Sequence, residues 1–208
     1  MTKHANHSLY ARAMSLSDQS NQPVGENTGP VDPRSVCNLM LDVAGDKGAI
    51  TNLALQKLLY FAHGLHLIRT KRPLVLGYFE AWQFGPVHPA AYRAFKSAGD
   101  AAIRFRAVKR DPLTGSAAPI DCPTEDSIIE CVHRVMSSYG RMSPGRLVDI
   151  SHAKVSPWRV IVDKARTDVS LGLRITDDLI VERFKHHKIS VGPEPIMGEP
   201  GEDAPFNS

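Results

Sequence analysis

Residues 53 to 96, LALQKLLYFAHGLHLIRTKRPLVLGYFEAWQFGPVHPAAYRAFK, are the densest run of apolar and aromatic side chains in the sequence, and any fold must cover them. From Leu55 the apolar residues recur at Leu58, Leu59, Ala62, Leu65 and Ile68, the spacing that builds one apolar face on a helix. This predicts a central helix over 53–69. Past Arg69 the period changes: Pro73 stops the helix, and Leu74 to Val87 is short, aromatic and broken by Gly77 and the Gly85-Pro86 pair. A small antiparallel hairpin or extended loop follows from that pattern. Pro89 suits the first position of a further helix, in which Ala91, Tyr92 and Phe95 share a face. Gly64 stands mid-helix, where glycine is about 1 kcal/mol worse than alanine. Either a neighbour packs too close for a Cβ there or the helix bends, and a nearby aromatic such as Trp82 would explain it.

The rest of the chain has to supply the cover. Its 208 residues allow one domain of ordinary size with tails, and 42% apolar with 23% charged residues is ordinary globular composition. A domain of about 150 residues buries roughly 70% of its unfolded surface, so no covalent or metal staple is needed. Cys37, Cys122 and Cys131 are odd in number and lack CxxC spacing, which argues against a disulfide framework and a structural zinc and fits a reducing cytosol. No run reaches the apolar length of a membrane span, and Met1 to Ser20 lacks the apolar core of a secretory signal, so a cytoplasmic protein with no membrane partner is expected. The net charge of +3 is too small to signal nucleic acid. The basic groups at Lys71-Arg72, at Arg104, Arg106, Lys109 and Arg110, and from Arg183 to Lys188 read as solvated loop and helix-end charge rather than one clustered face.

Organisation along the chain follows from caps and breakers. Residues 1–31 are polar and read as a disordered lead, and 188–208, rich in Gly, Pro and Glu, as a disordered tail, leaving 32–187 as the globular domain. Asp32-Pro33 opens a helix with Val36, Leu39, Met40 and Val43 on its apolar side, and Gly45 closes it. Thr51 or Asn52 caps the central helix. Ile103, Phe105 and Ala107 alternate with Arg104 and Arg106 as in a strand over 103–108, and DPLTGSAAP after it reads as an exposed, mobile turn region. Ile128, Ile129, Val132, Val135, Met136 and Tyr139 line one side of a helix ended by Gly140. Ser143-Pro144 and Ser156-Pro157 each open a short helix, burying Leu147, Val148 and Ile150 in one and Trp158 and Ile161 in the other. Thr176-Asp177-Asp178 opens the last, with Leu179, Ile180 and Phe184 inward. The expected fold is mainly α with a little β: a compact bundle of six or seven helices around 53–69 with a small antiparallel hairpin.

Catalytic constellations are weak. His63 and His66, three apart on a helix, lack a companion carboxylate or cysteine in sequence and read as packed or surface histidines rather than metal ligands. The Ser151-His152 adjacency does not make a nucleophile and base. There is no GxSxG, GxxxxGK[ST] or GxGxxG, so no nucleotide chemistry, cofactor, metal or catalytic residue is assigned. The stronger candidate is the aromatic and proline cluster at Trp82, Phe84, Pro86, Val87, His88 and Tyr92. Trp82 and Trp158 read as core. Phe84 and His88, on the alternate side of an extended segment, read with Pro86, Val87, Tyr92 and Arg159 as a partner-facing surface.

LQKLLYFAHG followed by EAWQFGPVHPAAYRAFK resembles the Panacea domain of the SocA-like and phage GepA-like antitoxins of bacterial toxin–antitoxin systems. YGRMSPGRLVDISHAKVSPW resembles that family's second block and ITDDLIVERFKHH its closing helix, so the likeness spans roughly residues 33 to 187. The resemblance implies an antitoxin, not an enzyme, that neutralises a cognate toxin by binding it, the toxin being encoded typically by the adjacent gene. One branch of the family instead acts as an adaptor delivering its toxin to a protease. Positions carried over by the match are Leu55, Gln56, Lys57, Leu58, Tyr60, Gly64, Glu80, Trp82, Gly85, Pro86, Val87, Tyr92, Tyr139, Leu147, His152, Pro157 and Trp158, most of them structural in kind. Two positions depart from the family's habit: Leu65, often aromatic there, and Gln83, often basic. A third reading, a small metal-dependent enzyme using His63, His66 and His152, is the alternative from a different class.

Overall fold

Local capping chemistry starts most of the helices where the sequence indicates. In the computed structural model, which describes residues 29–45, 48–165 and 173–187, helix α1 (Pro33–Ala44) begins as Asp32 accepts a hydrogen bond from the Arg34 amide. Thr51 caps α2 (Asn52–Thr70) and Ser143 caps α5 (Pro144–Ser151) in the same way. Ser156 accepts from the Arg159 amide at the start of α6 (Pro157–Ala165), and Thr176 caps α7 (Asp177–Arg183). Between these lie α3 (Pro89–Phe95) and α4 (Asp126–Tyr139). The lead up to residue 28 and the tail from 188 lie outside the described residues.

The central helix is covered more completely than one apolar stripe implies. Of the 19 residues of α2, 14 are buried, including Asn52, Gln56, Lys57, His63 and His66. A helix buried on all sides needs partners for its polar groups, and three of those on α2 find them on other elements. Gln56 Oε1 accepts the His88 amide at 3.0 Å, Lys57 Nζ donates to the Pro86 carbonyl at 3.3 Å, and His63 Nε2 lies 3.1 Å from Asp177 Oδ1. Each clasp fastens a different element to the axle: the hairpin exit, the hairpin itself and α7. Helices α1, α4 and α5 pack on its remaining sides.

Strands β1 (Phe79–Trp82) and β2 (Gly85–Val87) form the expected hairpin, with Trp82 opposite Gly85 and Glu80 opposite Val87. A third strand arrives from far down the chain: β5 (Arg174–Ile175) pairs antiparallel with β1, giving the sheet order β2-β1-β5. Phe79 and Ala81 point into the core on one face of β1, while Trp82 and Glu80 share the other, where Trp82 Nε1 donates to Glu80 Oε2 at 2.7 Å.

Two expectations need correction. No strand forms over 103–107; instead β3 (Val108–Arg110) pairs with β4 (Ala117–Pro119), inside the stretch read as turn alone. Ile103 and Ala107 are buried on either side of a bend at Phe105, and the polar partner of Ala107 is a helix. Asn38 of α1, 1% exposed, donates from Nδ2 to the Ala107 carbonyl at 3.1 Å and accepts the Ala107 amide at 2.8 Å, imitating a strand neighbour with one side chain. The aromatic against Gly64 is Phe184, not Trp82: a Cβ on Gly64 would stand 2.0 Å from Phe184 Cε2. The final turn after α7 thus lays its ring across the middle of α2, next to Tyr60 at 5.9 Å between centroids.

Candidate functional site

The hairpin turn is where sequence reasoning places a partner surface, and the structure divides that surface in two. Phe84, Tyr92 and Arg159 are partly exposed. Pro86, Val87 and His88 are buried, with Val87 at 0% and His88 at 3%, so the expectation of an exposed Gly-Pro platform fails for these three. The physical reason is the polar clasping by α2: the Pro86 carbonyl is tied to Lys57 and the His88 amide to Gln56, which pulls the strand inward. Gly85 allows that approach. Its φ is +105°, and a Cβ would fall 2.6 Å from Ser151 Oγ and 2.8 Å from Lys57 Cε.

Trp82 and Trp158 are core residues, as their spacing predicts. Trp158 Nε1 donates to the Trp82 carbonyl at 2.8 Å, joining α6 to β1. His152 stacks on Trp158 with centroids 3.5 Å apart and planes 8° apart, Arg159 Cζ lies 5.1 Å from the Trp158 ring, and Tyr92 meets Trp82 edge-on at 4.8 Å. Burial, with the nearby charges of Lys57 and Arg159, lowers the pKa of His152 to about 3. A histidine so held is neutral at physiological pH and serves packing.

The other chemistry-bearing side chains are likewise engaged. His63 belongs to the Asp177 contact, whose carboxyl is held below its usual range by that hydrogen bond. Burial, then the charges of His63 and Arg69, lowers His66. Cys37 and Cys131 are buried, and burial pushes the Cys131 thiol up to about 11. Among the described residues no group of three or more His, Cys, Asp or Glu side chains is placed to hold a metal.

Sequence reasoning did not find the groove between α1 and α3. It encloses about 770 Å³, and its lining includes Arg34, Arg93, Arg106 and Arg110 against a single carboxylate, Asp32. Four segments build it: the α1 N-terminus, the turn at Leu76-Gly77, the run from His88 through α3 to Ser97, and the chain from Phe105 to Arg110. Asp32 is already clasped by Arg34 at 2.7 Å; burial raises its pKa, but the Arg34 hydrogen bonds and charge win and leave it below the usual carboxylate range. Arg106 pairs with Asp42. His88 lines the inner wall, its Nε2 2.9 Å from the Leu76 carbonyl, and burial lowers its pKa. The one sequence signal was the Arg104 to Arg110 cluster, read as solvated charge; Arg34 and Arg93 stand alone in sequence and give none.

Fold and site together define an α-dominated domain built round one buried helix, with a cationic groove beside its sheet and no helix of the described residues long and apolar enough to cross a membrane. The family described as antitoxin SocA-like, Panacea domain, matches residues 55–159, from the first apolar turn of α2 to the residue after Trp158. Antitoxin SocA of Caulobacter vibrioides (strain NA1000 / CB15N) is 47% identical over 184 residues, covering 88% of this chain and 98% of that protein. The chain belongs to the SocA-like Panacea family. No solved structure gives a significant match.

Proposed function

We propose that this protein is an antitoxin that neutralises a cognate toxin by binding it directly. The observation that carries the reading is the 47% identity to an antitoxin along 88% of the chain, a span that takes in the packed core and every wall of the groove. The structure supports it from the other side. His63, Ser151 and His152, the residues a small enzyme would deploy among those described, sit in packing and clasps, while open cationic surface lies in the groove beside α1 and α3. The partner is a protein toxin, encoded beside this gene, and the pair meets in the cytoplasm, where the free cysteines Cys37, Cys122 and Cys131 stay reduced.

The test is growth of bacteria expressing each neighbouring open reading frame from one promoter, with and without this protein from another, followed by co-purification. Rescue with a stoichiometric, co-eluting pair is the expected result. Rescue without a complex, with the toxin disappearing faster only when a cellular protease is present, replaces direct neutralisation with proteolytic delivery. A harmless neighbour and no co-eluting protein overturn the antitoxin reading.

A further inference from the structure

We propose that the groove between α1 and α3 is the toxin-docking surface, and that its occupant is an acidic segment of the toxin carrying an apolar anchor; this rests on the antitoxin reading above. Charge argues first. Of the four arginines lining the groove, Arg34 and Arg106 already hold Asp32 and Asp42, whereas Arg93 and Arg110 are exposed and have no carboxylate partner among the described residues. Two unspent guanidinium groups lining one groove, with Asp32 as the only acidic lining residue, make a surface complementary to carboxylates.

Apolar surface argues second. Leu76, 54% exposed, and Phe105, 40% exposed, stand among those arginines, and Phe105 is backed by a stacked Phe95 at 5.9 Å. Large apolar side chains within a ring of arginines are the composition of an interface centre rather than of free surface. The walls are also fixed before any partner arrives. Asn38 clasps the backbone of Ala107, the Val31 amide donates to the Leu74 carbonyl at 3.0 Å and the Leu76 amide to the Val31 carbonyl at 2.8 Å, and Gly77 sits too close to His88 Nε2 to admit a Cβ. A preformed groove spares the ordering entropy that binding otherwise costs. A nucleic acid is the poorer fit: it demands a stripe of cations tracking successive phosphates, and here two arginines are unspent on a chain of net charge +3.

Two probes test this on the full-length chain. The first is a fluorescein-labelled peptide alternating glutamate with leucine, compared with the same peptide carrying serine for leucine and read by anisotropy at low and high salt. Binding that weakens with salt, weakens again without leucine, and falls roughly tenfold or more in R93E/R110E is expected, since reversal turns attraction into repulsion at both sites. Failure of the wild type to bind, or equal binding by R93E/R110E, overturns the groove as an acidic-peptide site. So does tighter capture of a short DNA duplex. The second probe is the toxin recovered by co-purification, titrated against R93E/R110E and L76S/F105S after thermal melts confirm that both variants fold. A tenfold or greater loss in each is expected. Wild-type affinity in both variants places docking elsewhere and leaves the antitoxin reading standing. Arginine-dependent peptide binding with no neutralised neighbour removes the toxin as occupant. Tighter binding by a peptide of this chain's own residues 188–208, which carry Glu194, Glu199, Glu202 and Asp203, likewise overturns the toxin as occupant.

Discussion

Replacing Gly64 by alanine puts the packing of α2 to a quantitative test. In an isolated helix the change is favourable by about 1 kcal/mol. Here the added Cβ would stand 2.0, 2.3 and 2.6 Å from three ring carbons of Phe184, where ordinary contact needs roughly 3.5 to 4 Å. The ring has to withdraw by well over an ångström, and its neighbours oppose that: Tyr60 lies 5.9 Å and His187 4.8 Å away between ring centroids. Overpacking of this kind costs about 1 to 3 kcal/mol. Its ceiling is the loss of the whole Phe184 anchor, which falls short of the 3 to 5 kcal/mol typical of a fully buried Phe→Ala because this ring is only partly buried. Gly64→Ala is therefore expected to destabilise the protein by up to about 2 kcal/mol net, and in a Phe184→Ala background the same change is expected to stabilise by about 1 kcal/mol. A double-mutant cycle from urea unfolding, followed by far-UV circular dichroism, measures both legs. An equal loss in the two backgrounds, or a native-background Gly64→Ala at least as stable as wild type, would refute the account of why glycine occupies this position.

Three other outcomes follow from the geometry. His152, lowered to about 3 from the usual 6.5, stays unprotonated in the fold while the unfolded chain takes up a proton below about pH 6.5. Its contribution is full above pH 6.5 and is lost as pH falls toward 3, so His152→Phe, which keeps the stacking on Trp158, is expected to lose about 2 kcal/mol less than wild type between pH 7 and pH 5; equal losses in paired urea titrations would contradict this. Trp158→Phe removes the donor to the buried Trp82 carbonyl and is expected to cost about 1 to 3 kcal/mol, read from thermal melts, with no change telling against the tie between α6 and β1. Asn38→Ala orphans both backbone groups of Ala107, so amide exchange is expected to speed up from Phe105 to Arg110 while α4 stays protected; unchanged exchange there would show that the groove wall does not depend on Asn38.

Elements governed by contacts within a turn or two were legible in the sequence. Asp32-Pro33, Ser143-Pro144, Ser156-Pro157 and Thr176 each begin a helix because an oxygen that caps an amide two or three residues on acts through local geometry alone. The hairpin was legible too, since Gly85 has a φ that other residues avoid and marks where the chain reverses. For the candidate site, Trp82 and Trp158 are buried as the sequence reading had them, whereas Pro86, Val87 and His88, read as exposed, are buried. Their burial depends on Lys57 and Gln56 reaching across from α2, contacts about thirty residues distant in sequence.

What the sequence by itself determined, then, is the set of helices, their starts, and the position of the central one, because periodicity and capping are properties of neighbouring residues. Only the tertiary structure decided that α2 is buried all round, that β5 completes the sheet, that Phe184 rather than Trp82 occupies the space left by Gly64, and that Arg34, Arg93, Arg106 and Arg110 meet in one groove. The contacts behind these features reach about thirty positions from Lys57 to Pro86 and 120 from Gly64 to Phe184. No local pattern encodes which distant side chain fills a gap or faces a charge; that is set by the shared burial of elements around a common axis.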